Sequence, residues 1–253
     1  MGLLDGKIVV ITGAAGGIGS ATADVIYEQG GTVIPAGRDD GELAALSAKR
    51  DDARWHPIRV DVADETSVAQ GFAHVRAQFG RIDGLVNNAG VLVPNDIPSS
   101  TLAEFDAIFG VNVRGTYLCC KAALPTMIEQ RSGSIVNIGS INSIGAEKKL
   151  ALYVASKGAI LMLTKAIALD HAHQGVRANV VCPGFVDTPL NVPHYEMLGG
   201  RDELERSLAD FQPIGRAIET REIATPIAFL ISDGSSAMTG SAVLVDGGVL
   251  AKA

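Results

Sequence analysis

At 253 residues and 47% apolar side chains, the chain has ample hydrophobic content for a sizeable core, in one large domain or two small ones. Its net charge of −7 offers no basic footprint for nucleic acid. Only 19% of residues are charged and 29 are glycine, a balance that favours an α/β protein with many tight turns and much buried helix surface.

The chain opens "MGLLDGKIVVITG", with no basic region followed by a signal-type apolar segment. Gly6 stands where a myristoylation signal wants Ser or Thr, and the closing "AKA" is no prenylation box. No continuous run of about 18 apolar residues is available to span a bilayer. The expectation is a soluble cytoplasmic protein with no nucleic-acid and no membrane partner. Cys119, Cys120 and Cys182 form no CxxC pair and cannot all pair internally, so buried free thiols are expected.

Seven short apolar, β-branched runs read as strands: 7–12, 31–36, 56–61, 82–88, 133–140, 176–183 and 241–247. Most are apolar on both faces, as in a parallel sheet covered by helices. Helical patterns fall between them near 17–29, 41–50, 64–79, 101–130, 151–173 and 220–232. The alternation implies β-α-β units with right-handed crossovers. The predicted fold class is α/β: a single-domain, Rossmann-like, doubly wound fold over 1–253, with a seven-stranded parallel sheet and helices on both faces. The rhythm breaks at about 187–215, which carries three prolines and a Gly-Gly. A long insertion after a strand's C-terminal end is expected to be a lid or substrate loop.

Several motifs sit at the strand ends. "TGAAGGIG" (Thr12–Gly19) joins the first strand to the first helix. Glycines there permit a tight turn and close backbone approach, and the helix N-terminus offers free N–H donors to a pyrophosphate. Gly13, Ala15, Gly16, Gly17, Ile18 and Gly19 are therefore candidate cofactor contacts. "NNAG" (87–90) ends the fourth strand, Asn112 lies in "VNVRG", and Ser140 precedes Tyr153 by 13 residues. Tyr153 and Lys157, in "YVASK", share a helix face at i, i+4, and the ammonium favours the phenolate form of the tyrosine. "PGFVDT" (183–188) follows the sixth strand and "VDGG" (245–248) closes the last.

This ordered set, over nearly the whole chain, resembles the short-chain dehydrogenase/reductase family. The resemblance implies an NAD(P)-dependent oxidoreductase interconverting a secondary alcohol and a ketone. Tyr153 would trade a proton with the substrate oxygen, and Ser140 would orient that oxygen. Lys157 would also hold the nicotinamide ribose, and Asn112 would hold a water in a proton relay. Asp61 and Val62 would lie at the adenine, Asn88, Ala89 and Gly90 at the adenosine ribose, and Pro183, Gly184, Val186 and Thr188 at the nicotinamide.

Gly37 stands where family members using NAD commonly carry Asp, and Arg38 follows it. An arginine suits a 2′-phosphate, so NADP is the preferred cofactor, with NAD possible. Asp39 and Asp40 argue the other way, since they can neutralise Arg38. No metal site is expected. Asn142, Glu147, Lys148, His194 and Tyr195 are candidates to face substrate beside Ser140 and Tyr153, and polar groups there hint at a small polyol, sugar or other hydroxy compound. The competing reading of Glu147, Lys148 and Lys149 is a solvated charge run.

Three alternatives stand beside this reading. A 3-oxoacyl-[acyl-carrier-protein] reductase would want basic residues near the cleft; Arg131 fits, whereas "HAHQG" (171–175) does not. A nucleotide-sugar epimerase would need a larger substrate domain. A non-catalytic nicotinamide sensor would not need Ser140, Tyr153, Lys157 and Asn112 together. Broad apolar surfaces on 101–130 and 151–173 suggest subunit contacts, and the resemblance implies a homotetramer or homodimer.

Overall fold

A computed structural model describes residues 2–197 and 199–252. β1 (Ile8–Thr12) leads into α1 (Gly17–Glu28), β2 (Thr32–Gly37), α2 (Asp40–Lys49) and β3 (Ile58–Arg59). α3 (Glu65–Phe79), β4 (Gly84–Asn87), α4 (Leu102–Ile108), α5 (Thr116–Gln130) and β5 (Gly133–Ile138) follow. The chain closes with α6 (Ala151–His171), β6 (Val176–Pro183), α7 (Val192–Met197), α8 (Arg201–Phe211), α9 (Thr220–Ile231) and β7 (Ala242–Val245).

The seven strands form one parallel sheet in the order β3-β2-β1-β4-β5-β6-β7. The chain builds outward from β1 in one direction and restarts from β4 in the other. The switch point therefore lies between the C-terminal ends of β1 and β4, where doubly wound sheets bind ligands. Val9 and Ile11 face one layer, with α1 and α9; Ile8 and Val10 face the other, with α3, α5 and α6. This is why the central strands read as continuous apolar runs: in β1, β4 and β5 each residue is buried, whichever way it points.

Two expectations need correction. The predicted 101–130 helix is three segments, because Phe109–Gly115 adopts a π-helical turn between α4 and α5. Gly115 allows this: a Cβ there would press on Val62 Cγ2 at 2.8 Å. The 187–215 stretch, expected to be a lid or substrate loop, folds as a short 3₁₀ turn followed by α7 and α8. Finally, α6 with its following turn is long and apolar enough to cross a membrane by length and composition. It is a core helix instead, burying Tyr153, Ser156, Lys157, Ile160, Thr164 and Ile167. The three cysteines are buried and free, and burial pushes the Cys119 thiol up and that of Cys120 up to about 12.

Candidate active site

The β1–α1 turn is built around Thr12 and Asn88. Thr12 Oγ1 accepts from the amides of Asn88 and Ala89, while Asn88 Nδ2 donates to the carbonyls of Thr12 and Gly13. A Cβ on Gly13 would stand 2.8 Å from Ala89 Cα, and Gly13 has φ +62. One on Gly19 would collide with Gly13 O and Asn88 Nδ2. These two glycines let the turn lie flat on the end of β4. Gly16 differs, since a Cβ there would meet nothing within 4 Å. Gly16 also caps α1 without any side-chain acceptor, and no acidic residue occupies the first turn. The first amides of α1 thus keep their donors for an anion, and the turn fits a pyrophosphate. Asn88, expected at the ribose, has its amide nitrogen engaged in shaping that turn.

At the far end of β2, the Arg38 guanidinium lies 3.2 Å from Asp39 Oδ2 and 3.8 Å from Glu42 Oε1. Asp40 pairs with Arg59 instead. Glu42 was not foreseen. It accepts the Arg38 main-chain N–H at 2.6 Å, and Asp39 accepts the Glu42 N–H at 3.0 Å. The Asp-x-x-Glu spacing of a capping pattern was the available signal. The Asp61 carboxylate accepts from Ala63 N at 2.9 Å, and Val62 is buried beside Gly115.

Ser140, Tyr153 and Lys157 converge on one cleft that Gly90, Pro183, Gly184, Val186 and Thr188 also line. Ser140 arrives from the end of β5 and caps a 3₁₀ turn, its hydroxyl accepting from Asn142 N at 3.1 Å. Ser143 Oγ accepts from Ser140 N at 3.2 Å, the local turn role its place in "GSINS" suggested. Lys157 Nζ donates to Ile138 O at 2.7 Å and lies 5.5 Å from the centre of the Tyr153 ring. Burial pushes the Lys157 ammonium down to about 8. Burial also pushes the Tyr153 phenol well above its ordinary value; the Ser140 hydroxyl beside it pulls the other way and the Glu147 charge pushes up again. Desolvation is the largest influence on the phenol in this structure.

Asn112 is fully buried in the π-helical turn and does not open into the cleft. Its Oδ1 accepts from Val91 N at 2.8 Å, and its Nδ2 donates to Val91 O and Ser156 Oγ at 3.0 Å each. It ties the segment after β4 to α6, with Ser156 as a partner the sequence did not reveal. A π-helical turn re-aims side chains in this way and is frequent at functional sites.

The remaining wall mixes Leu92, Leu150 and Leu190 with Asn142, Glu147 and His194. His194 reaches it from α7. Tyr195, expected to face substrate, is buried under Arg201, 5.6 Å from its ring centre, and is not part of this wall. Glu147 is no solvated charge: it accepts from Asn142 Nδ2 at 3.1 Å inside the cleft. Among the described residues no cluster of three or more metal-ligating side chains occurs.

The family described as enoyl-(acyl carrier protein) reductase matches residues 13–250. Meso-2,3-butanediol dehydrogenase of Serratia marcescens is 37% identical over 247 residues, covering 98% of this chain and 96% of its own. A gluconate 5-dehydrogenase from Burkholderia cenocepacia, solved with NADP and tartrate, superposes with a TM-score of 0.92 at 31% identity, covering 99% and 97%. Aldohexose dehydrogenase of Thermoplasma acidophilum, solved ligand-free, gives 0.88 at 36% identity, covering 99% and 96%.

Proposed function

The chain belongs to the short-chain dehydrogenase/reductase family, and on that premise we propose that Tyr153, Ser140 and Lys157 carry its chemistry, with NADP as cofactor and a small polyhydroxylated compound as substrate. It is a nicotinamide-dependent oxidoreductase acting on CH–OH groups. The observation that carries the assignment of roles is convergence. A phenol, a hydroxyl and an ammonium, all buried, meet beside the uncapped N-terminus of α1.

A bound nicotinamide supplies the hydride donor or acceptor. Tyr153 Oη takes the hydroxyl proton of an alcohol, or returns one to a ketone oxygen. Ser140 Oγ donates to that oxygen and fixes it against the phenol. The Lys157 ammonium supports the phenolate as charge develops, and would bond the nicotinamide ribose hydroxyls. Asn112 keeps α6 and the segment after β4 in register, so Tyr153 and Gly90 hold their spacing.

The NADP preference rests on Arg38. Its side chain is 63% exposed, and its carboxylate partners are surface contacts that a phosphate can displace. The relatives named for a diol, an aldohexose and gluconate support a hydroxylated substrate, as does the polar wall. Hydride turnover, followed by the absorbance of reduced nicotinamide across a panel of polyols and ketones with both cofactors, tests this reading. Turnover that favours NADH refutes the cofactor part.

Self-association is part of the proposal. Phe105 of α4 and Phe109 of the π-helical turn stack at 4.3 Å, and Tyr117, Met162 and Leu169 stand exposed on α5 and α6. Such a face suits a dimer or tetramer contact. Sedimentation that finds a stable monomer at micromolar concentration overturns it.

A further inference from the structure

Among the described residues, the Glu147 carboxylate is hydrogen-bonded on one side only. Asn142 Nδ2 donates to its Oε2 at 3.1 Å, and Asn142 is itself 5% exposed and fixed by its backbone bond to Ser140. The other oxygen, Oε1, faces His194 Nε2 at 3.8 Å, too far for a hydrogen bond. His194 is 8% exposed and belongs to α7, whereas Glu147 belongs to the loop leading into α6. A hydroxyl oxygen seated about 2.8 Å from both atoms closes that gap, donating to Glu147 and partnering the imidazole.

The charge of the cleft points the same way. Lys157 is the one lysine among its described lining residues, no arginine lines it, and the Lys157 ammonium is engaged with Ile138 at the cofactor end. Lys149 is drawn off to Asp96, and Arg201 to Asp187. A substrate carboxylate placed near Glu147 would meet a like charge, with the Lys149 ammonium and the Arg201 guanidinium both engaged elsewhere.

We propose that Glu147, fixed by Asn142 and faced by His194, recognises a second hydroxyl of the substrate and selects neutral diols or polyols over hydroxy acids. This rests on the oxidoreductase reading above and adds the feature that chooses among its substrates. Because His194 comes from the α7 side and Glu147 from the catalytic side, the bridging hydroxyl also joins the two walls around the reacting carbon.

Three four-carbon probes test it: meso-2,3-butanediol, 2-butanol and 3-hydroxybutyrate, with kcat/KM measured for each. The native enzyme should favour the diol over the mono-alcohol by about tenfold, one lost hydrogen bond to a charged group, and over the acid by more. Glu147→Leu should lower the diol to mono-alcohol ratio at least about fivefold, chiefly through the KM of the diol. Glu147→Gln keeps shape and hydrogen bonding but removes the charge, and should raise the acid to diol ratio about tenfold. NADPH binding by fluorescence shows that each variant is folded. Turnover with both ratios within about twofold of native overturns this inference alone. No turnover of any probe by the native enzyme overturns the small hydroxy-compound reading and this inference with it.

Discussion

The ammonium of Lys157 donates a 2.7 Å hydrogen bond to the main-chain carbonyl of Ile138, two residues before Ser140. The helix that carries Tyr153 is thereby tied to the strand that delivers Ser140. One buried cation fixes the spacing of both groups that are to touch the substrate oxygen.

That position has a pH signature. The Lys157 pKa is depressed to about 8, so the folded protein loses this proton before the unfolded chain does. Ketone-reducing kcat/KM should fall above a pH of about 8, because Tyr153 stays protonated there while Lys157 loses its charge. Lys157→Arg, whatever its absolute rate, should remove that limb, since a guanidinium keeps its proton. Stability carries the opposite sign. Between about 8 and the unfolded value the unfolded state binds more protons, so unfolding free energy rises with pH. Lys157→Met should therefore gain most over native below pH 8, with up to roughly 3 kcal/mol of that difference fading by pH 10.5. Parallel urea titrations across pH check it.

Tyr153→Phe should lower kcat by about 10³-fold or more while the NADPH dissociation constant stays within about threefold. The ring remains to fill the cleft, and only the proton-carrying oxygen is lost. Stopped-flow hydride transfer beside a fluorescence titration separates the two quantities. Retained turnover would rule out the acid–base role.

If Arg38 holds a 2′-phosphate as proposed, Arg38→Leu should weaken NADPH about 10–100-fold and NADH less than about threefold, the loss of one charge-assisted contact. Glu42→Gln should move NADPH the other way, since it frees the guanidinium from one of its two carboxylate neighbours. Calorimetric titration with both cofactors measures this, and equal losses for the two would exclude Arg38 from the phosphate site.

The glycines of the β1–α1 turn should not behave alike. Gly19→Ala forces a methyl against Gly13 O and Asn88 Nδ2, and should cost about 1–3 kcal/mol of stability. Gly16→Ala meets nothing and should stay within about 0.5 kcal/mol of native. Chemical denaturation of the two variants is a direct comparison.

Parts of this architecture were readable before folding for definite reasons. Runs such as "KIVVIT" and "VRANVVCP" are apolar on both faces because the sheet is covered twice, and that leaves an unbroken local signal. The edge strand β3 is confined to Ile58–Arg59, paired with β2 alone. The break at Phe109–Gly115 left no readable local mark, since it depends on Val62 and Val91, which lie far away in sequence. Pro189, Pro193 and the Gly199-Gly200 pair did punctuate 187–215, but as starts and stops of short helices rather than as a loop.

By itself, the sequence determined the strand–helix alternation, the glycine turn and the Ser140, Tyr153, Lys157 spacing, because each is encoded within a few residues or along one helix face. Tertiary structure alone decided the rest. Asn112 became a tie between Val91 and Ser156, Asn88 a brace for the turn, and Glu147 a wall of the cleft rather than a surface charge. Burial, not the nearby lysine, set the direction of the Tyr153 pKa. Desolvation and long-range hydrogen bonds depend on what the fold brings near a residue, and no local pattern in the chain states that.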